Sequence, residues 1–183
     1  LGSGKGWNVG LHDDLAIYRL GFSFLAMPAD NLQSSFRVVS KMAFSNRGGC
    51  SFKIKAGKER LQRYLHDSDS FLRMLYAAIH MKYGMPARGE ELRMIRWAES
   101  IAVKRNIFVY KGQITLIFAY NKANTNTINS FYIALSPCPA IRRLLFVYQT
   151  YIRPFRDFIS RQLGVTSESC AHPHLFVKHN SAT

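Results

Sequence analysis

Residues 107–120 read IFVYKGQITLIFAY, and this stretch decides the fold class. Two runs rich in β-branched and aromatic residues flank Lys111-Gly112, and a two-residue connection that ends in glycine is typical of a β-hairpin. A third run of this kind, FYIAL at 131–135, follows a polar segment and is closed by Pro137. The sequence therefore predicts three short strands in one antiparallel sheet.

Helices are predicted on both sides of this sheet. Apolar residues recur at three- and four-residue spacing before and after it, and such spacing indicates amphipathic helices. The predicted helices cover residues 32–44, 61–84 with a break at 67–70, 86–100, and 141–163 with an interruption at Pro154. A short extended piece is expected at 175–177. The predicted fold class is α+β, mainly helical with a small three-stranded antiparallel sheet.

A loop rich in glycine, serine and lysine at residues 45–58 is the predicted boundary between two lobes. Residues 1–57 are expected to form part of an N-terminal helical lobe with its linker, and residues 58–183 the main lobe. The chain begins with Leu1 and shows no charged-then-apolar leader, so we expect a piece of a longer product. The best apolar run, 114–120, is far shorter than the ~18 residues of a membrane helix, so no membrane partner is expected.

The chain is strongly basic, with 25 Lys and Arg against 11 Asp and Glu and a net charge of +14. After Glu99 the only acids are Asp157 and Glu168. Such an excess favours a polyanionic partner such as DNA, because cations on a polyphosphate release counterions. A basic protein without such a partner is the alternative. Cations beside the aromatic-rich sheet are the predicted DNA contacts, namely Lys104, Arg105, Arg142 and Arg143.

Cysteine usage excludes several classes of protein. Three cysteines without C-x-x-C spacing do not predict a disulfide framework or a zinc ribbon, and they favour a reducing compartment, cytosol or nucleus. Cys170, His172, His174 and His179 lie close together, but Pro173 and the nearby chain end disfavour a metal site. The glycine-rich start lacks the spacing of a phosphate loop. We therefore expect neither a metal nor a cofactor.

The segment GMPARGEEL at residues 84–92 carries the candidate chemistry. At about 100° per residue, Arg88 falls on the same helix side as Leu92 and Ile95, and Glu91 lies one turn on. An arginine held there by a carboxylate can present its planar fork to a phosphate. The alternative from periodicity is a buried Arg–Glu pair that only fixes helix packing.

This motif, followed by a three-stranded sheet and an amphipathic helix, resembles the N-terminal half of the catalytic domain of tyrosine recombinases. The resemblance is closer to the recombinase-like region of fungal Crypton transposon proteins, which also precedes RecQ-type modules in telomere-linked helicases. It spans roughly residues 21–177. It rests on the order of short strings at 21–25, 84–92, 105–112, 120–122, 151–155 and 175–177.

The resemblance implies a recombinase-like catalytic lobe that is incomplete at its C-terminus. It implies that Arg88 contacts the scissile phosphate, that Glu91 buttresses Arg88, and that Lys122 is the general acid toward the leaving 5′ oxygen. It also implies DNA as the partner, a homo-oligomer on DNA and a nuclear location.

The sequence departs from the family in the second half of its active site. The family needs a later His-x-x-Arg and a tyrosine nucleophile, and none of the six histidines has arginine at the third following position. Tyr148 and Tyr151 lie on or beside an apolar helix stripe, which indicates packing. We therefore expect a DNA-binding, integrase-like fragment of a mobile element or helicase-linked protein that does not cut DNA alone.

Two alternatives stay open. The chain could be a non-catalytic interaction region that precedes a RecQ-type DNA helicase. It could also be part of an active strand-transfer recombinase whose remaining catalytic residues lie downstream.

Overall fold

A three-stranded antiparallel sheet forms where the sequence predicts it. The computed structural model describes residues 10–44, 54–82, 89–120, 131–164 and 172–177. Strands β1 (Ile107–Tyr110), β2 (Gln113–Tyr120) and β3 (Phe131–Leu135) follow one another in the order β1-β2-β3. Lys111 and Gly112 both have positive φ, 50° and 72°, as the tight turn of a right-twisted hairpin requires.

Helices make up most of the remaining described chain, so the fold is mixed α/β and mainly helical. Three short 3₁₀ turns at Phe24–Ala26, Pro28–Asp30 and Leu32–Ser34 lead into the first helix. The helices are α1 (Phe36–Phe44), α2 (Ile54–Lys82), α3 (Gly89–Arg93), α4 (Pro139–Val147) and α5 (Arg153–Gln162). Helix α2 packs against α4 and α5, and α4 also packs on β2.

Helix α2 is continuous, so the predicted break at residues 67–70 is wrong. Aspartate and serine disfavour a helix interior because their side chains compete for backbone hydrogen bonds. Here two of these residues have a local or tertiary partner. The buried Ser68 hydroxyl donates to the Leu65 carbonyl at 2.8 Å, and Asp69 pairs with Arg156 on α5 at 3.0 Å. These contacts, together with burial of Leu72 one turn later, hold the helix through the unfavourable stretch.

Helix α3 ends at Arg93, so the prediction of a helix reaching Ser100 is also wrong. The backbone N–H groups beyond it bind partners elsewhere in the chain. Arg96 N–H donates to the Asn106 side chain at 2.8 Å, and Trp97 N–H donates to the Pro173 carbonyl at 2.8 Å. Leu175 N–H donates to the Ile95 carbonyl at 2.7 Å, so the expected extended piece pairs with this segment and begins before residue 175.

A π-helical turn, Tyr148–Ile152, joins α4 to α5 without breaking the rod. Pro154 lacks an N–H, and in a regular α-helix its ring would clash with the carbonyl four residues earlier. The wider turn absorbs this conflict, because Arg153 N–H reaches back five residues to the Tyr148 carbonyl. It also turns Tyr148, Gln149 and Thr150 inward in succession, which one face of an α-helix cannot do.

One hydrophobic cluster receives residues from both predicted lobes. Leu11, Phe24 and Leu25 lie in the same buried cluster as Leu75 of α2 and Leu116 of β2. The described residues on either side of 45–58 therefore contribute to one buried cluster.

Candidate functional site

The residues expected to act on a scissile phosphate are placed only in part. Arg88 and Lys122 lie outside the described residues. Glu91 lies in α3 and is half-buried, beside the buried Leu92.

The four expected DNA contacts divide into two exposed and two buried cations. Lys104 and Arg143 are exposed. Arg142 is buried on α4 and donates to the side-chain oxygen of Gln113 on β2, so it joins helix to sheet. Arg105 is the most deeply buried of the four, with 2% of its surface exposed.

Arg105 is enclosed by an ion-pair network and cannot meet an external phosphate, which corrects its expected role. Its guanidinium lies 2.9 Å from Asp13 and 3.2 Å from Glu99, and it donates to the Asp14 carbonyl at 3.1 Å. The ring of Phe108 lies 4.5 Å from the guanidinium carbon. Arg105 thus ties residues 13–14 to the segment that leads into β1.

Two backbone N–H groups also donate to the carboxylates of this network. Asp13 Oδ2 also accepts from the backbone N–H of Val109 at 2.8 Å, which covers the outer edge of β1. Glu99 Oε2 accepts from the backbone N–H of Arg105 at 3.1 Å. Glu99 lies only six positions before Arg105, but Asp13 lies 92 positions before it. Only the position of Arg105 two residues before a buried strand could have indicated burial.

Lys104 lies on the outer side of this network, next to exposed aromatic rings. Its ammonium donates to the Tyr18 hydroxyl at 2.9 Å and lies 4.5 Å from the centre of that ring. The hydrogen bond to Tyr18 is the main cause that raises the pKa of Lys104, and the phenol of Tyr132 contributes in the same direction. Lys104 is therefore a fully charged, accessible cation with a fixed neighbour.

A second arginine cluster lies between α2, α5 and the 172–177 segment. Arg156 is buried, donates to the Tyr148 hydroxyl at 2.8 Å and pairs with Asp69 at 3.0 Å. Burial raises the pKa of Tyr148, so its phenol stays protonated at neutral pH. A protonated, buried phenol packed parallel to Phe71 at 5.9 Å is a structural group, in agreement with the packing interpretation.

Arg153 completes this cluster by stacking on Trp97. Its guanidinium carbon lies 3.1 Å from the ring centre, and its Nε lies 3.9 Å from Asp157. Burial lowers the pKa of Arg153 to about 10 and raises the pKa of Asp157, the directions that desolvation imposes on charged groups. Arg153 remains a cation at neutral pH and links α5 to the loop after α3.

These pairings distribute charge unevenly between interior and surface. Four acids neutralise interior arginines: Asp13 and Glu99 with Arg105, Asp69 with Arg156, and Asp157 with Arg153. Within the described ranges, thirteen Lys and Arg are exposed against three acids, Asp14, Glu59 and Asp67. The exposed cations are Arg19, Arg37, Lys41, Lys58, Arg60, Arg63, Arg73, Lys82, Arg93, Lys104, Lys111, Arg143 and Arg161. The surface is therefore more cationic than the composition alone indicates.

Metal-binding clusters and membrane-spanning helices are absent from the described part of the chain. No group of three or more His, Cys, Asp or Glu side chains there is arranged to hold a metal ion. None of the helices in those ranges has the length and apolarity to cross a membrane.

Comparison with known proteins gives no relative from which a role could be transferred. Neither a family model, nor a curated protein, nor a solved structure matches the chain.

Proposed function

We propose that this chain is a non-catalytic DNA-binding module from the recombinase-like part of a mobile-element integrase or a helicase-linked nuclear protein. The observation that carries the proposal is the partition of charge. The acids that pair with interior arginines are withdrawn from the surface, and the exposed cations then face few competing carboxylates. A polyphosphate backbone is the partner that such a surface attracts most strongly.

Support for the recombinase-like assignment comes from the order of elements. Helix α3, the antiparallel sheet and α4 follow one another in the order that the resemblance implies. The absence of His-x-x-Arg from the sequence supports a binding role without strand cleavage. A homo-oligomer on DNA belongs to the same proposal.

A salt titration of duplex binding tests the proposal directly. Fluorescence anisotropy with a labelled duplex should give an association constant that falls steeply between about 50 and 200 mM salt. Lys104→Gln and Arg143→Gln should each flatten the slope of log K against log salt by about 1, since each removes one phosphate contact. Gln62→Ala, an exposed change on α2 that keeps the charge, is the matched control and should leave the slope unchanged.

An affinity that does not change with salt would overturn the proposal, because phosphate contacts would not drive binding. The chain would then be better described as an interaction region without DNA contact of its own.

Arg88→Ala separates the two interpretations of the 84–92 segment. If Arg88 contacts a phosphate, the variant should bind duplex DNA more weakly and unfold at the same urea concentration as wild type. If Arg88 and Glu91 form a buried packing pair, the variant should instead lose stability.

A further inference from the structure

An exposed apolar surface lies around Lys104. We define the Tyr18 surface as Tyr18, Leu20, Ile101, Val103, Lys104 and Tyr132. Ile101 is 90% exposed, Leu20 67%, Tyr132 66% and Tyr18 63%. Single exposed apolar side chains are common on protein surfaces, but a contiguous group of them indicates an interaction site.

The members of this surface are neighbours in space. Tyr18 is hydrogen-bonded to Lys104. Tyr132 on β3 pairs with Ala119 on β2, and Ile117, two residues earlier on β2, donates to the carbonyl of Asn106, two residues after Lys104. Leu20 precedes Gly21, whose backbone N–H donates to the Glu99 carbonyl at 2.9 Å. The segment with Leu20 therefore runs beside the loop that carries Ile101 and Val103.

The backbone under the surface is fixed. Ser100 and Val103 exchange hydrogen bonds across a tight turn: Ser100 N–H and its hydroxyl both donate to the Val103 carbonyl, and Val103 N–H donates to the hydroxyl. Below this turn, Arg105 binds Asp13 and Glu99. The exposed side chains are thus presented by a rigid base, which lowers the entropy cost of binding a ligand.

The charges around the Tyr18 surface favour a negatively charged partner over an uncharged, apolar one. Lys104 is an exposed cation on it and Arg19, between Tyr18 and Leu20 in sequence, is also exposed, while Asp13 and Glu99 are neutralised from below by Arg105. Asp14 is the exposed acid of these segments, and its carboxylate accepts from the Ala16 N–H at 2.8 Å. Aromatic rings beside a cation are the groups on which bases stack while their phosphates are neutralised.

We propose that the Tyr18 surface binds the unpaired bases of single-stranded nucleic acid, with Tyr18 and Tyr132 stacking on bases and Lys104 contacting the phosphate between them. Duplex DNA cannot use these rings, because its bases are already stacked on each other and offer only their edges and phosphates. This inference rests on the proposed function and extends it to a second form of the same polyanion.

The test measures the dissociation constants of the full chain for a labelled single-stranded thymidine oligomer and for a labelled duplex. Tyr18→Leu and Tyr132→Leu should each raise the dissociation constant for the single strand by about 5- to 100-fold, as the loss of one stacked base predicts. Duplex affinity should change by less than about twofold in both. Tyr18→Phe keeps the ring and should bind the single strand nearly as wild type does.

Tyr110→Leu is the matched control, because Tyr110 is an exposed tyrosine beside Lys111 in the hairpin, outside the Tyr18 surface. It should leave single-strand binding unchanged. If Tyr18→Leu and Tyr132→Leu leave single-strand affinity unchanged while duplex binding persists, the inference fails and the proposed function stands. If neither nucleic acid binds in a salt-dependent way, both fail.

Discussion

Arg105 shows how a single charged side chain is used for folding when it pairs with both a nearby and a distant part of the sequence. Two carboxylates and a carbonyl surround its guanidinium, and the rings of Phe22 and Phe108 lie 5.0 and 4.5 Å from it. A buried ion pair contributes little net stability when both partners are present, but removal of one partner leaves an uncompensated charge. We therefore expect Arg105 to contribute to stability and not to contact with a ligand.

Arg105→Met should lower the free energy of unfolding by about 3–5 kcal/mol, because Asp13 and Glu99 would be left buried without a cation. Urea denaturation followed by circular dichroism measures the change. Arg143→Met removes an exposed arginine and should stay within about 0.5 kcal/mol of wild type. Equal effects of the two variants would contradict the network described above.

His174 should make stability depend on pH on the acid side. Burial, then Arg96 and His172, lower its pKa from 6.5, while a hydrogen bond to the backbone of Arg93 acts the other way. The folded state therefore binds this proton less readily than the unfolded state. The free energy of unfolding is unaffected by His174 above pH 6.5 and should fall as the pH drops below 6.5 toward the lowered value.

His174→Gln should remove that part of the pH dependence, and His66→Gln, an exposed change on α2, should not. Arg153, Arg156, Asp157 and His172 line the small cavity next to His174. The raised pKa of Asp157 has the opposite effect, because it makes the free energy of unfolding rise as the pH falls. The quantity to compare at each pH is therefore the difference in free energy of unfolding between wild type and His174→Gln. Parallel pH profiles for wild type and His174→Gln would refute the assignment.

At the scale of elements, the α4–α5 rod places polar groups where the core is apolar. Gln149 and Thr150 of the π turn have 0% and 1% of their surface exposed, and within the described chain no hydrogen-bond partner is found for the Gln149 amide or the Thr150 hydroxyl. They border a cavity of about 260 Å³ that also meets Trp97 and Arg153. Unsatisfied buried groups of this kind cost free energy, and π turns often coincide with functional sites.

Gln149→Met should raise the free energy of unfolding by about 1–3 kcal/mol, because an unbranched apolar side chain of similar length replaces an unsatisfied amide. Gln162→Met at the exposed end of α5 is the control and should have little effect. Thermal unfolding of both variants gives the comparison. A loss of stability in Gln149→Met would contradict the prediction, because it would mean that the buried Gln149 amide makes a stabilising hydrogen bond.

The elements also differ in how far the sequence could predict them. The hairpin was predictable because Lys111-Gly112 encodes its turn locally, and β3 because FYIAL has no competing helical pattern. The continuity of α2 was not, since it depends on Asp69 meeting Arg156, a residue 87 positions away. The end of α3 likewise depends on Asn106 and Pro173 as hydrogen-bond partners.

The same reasoning holds for the candidate site. Composition indicated a cationic surface, and Lys104 and Arg143 are part of it. Spacing could not distinguish them from Arg105 and Arg142, because burial of an arginine depends on a partner that the fold brings near. Adjacent residues such as Lys104 and Arg105 therefore face opposite sides of the same segment.

At the scale of the whole molecule, the excess of exposed cations should give salt two opposite effects on stability. Without DNA, raising salt from about 10 to 150 mM shortens the Debye length from about 30 to 8 Å and screens repulsion among surface cations. The midpoint of thermal unfolding should then rise by a few degrees, since 1 kcal/mol corresponds to about 2–4 °C at this chain length.

With saturating duplex DNA, the sign should reverse. Bound DNA stabilises the folded chain by about 2.7 kcal/mol at a hundredfold excess over its dissociation constant, and salt removes this gain by weakening phosphate contacts. Differential scanning fluorimetry at two salt concentrations, with duplex or with the uncharged polymer dextran, measures all four combinations. Dextran should preserve the rise with salt. A rise of equal size with DNA present would show that the cationic surface does not hold the duplex, because screening would then act only within the protein.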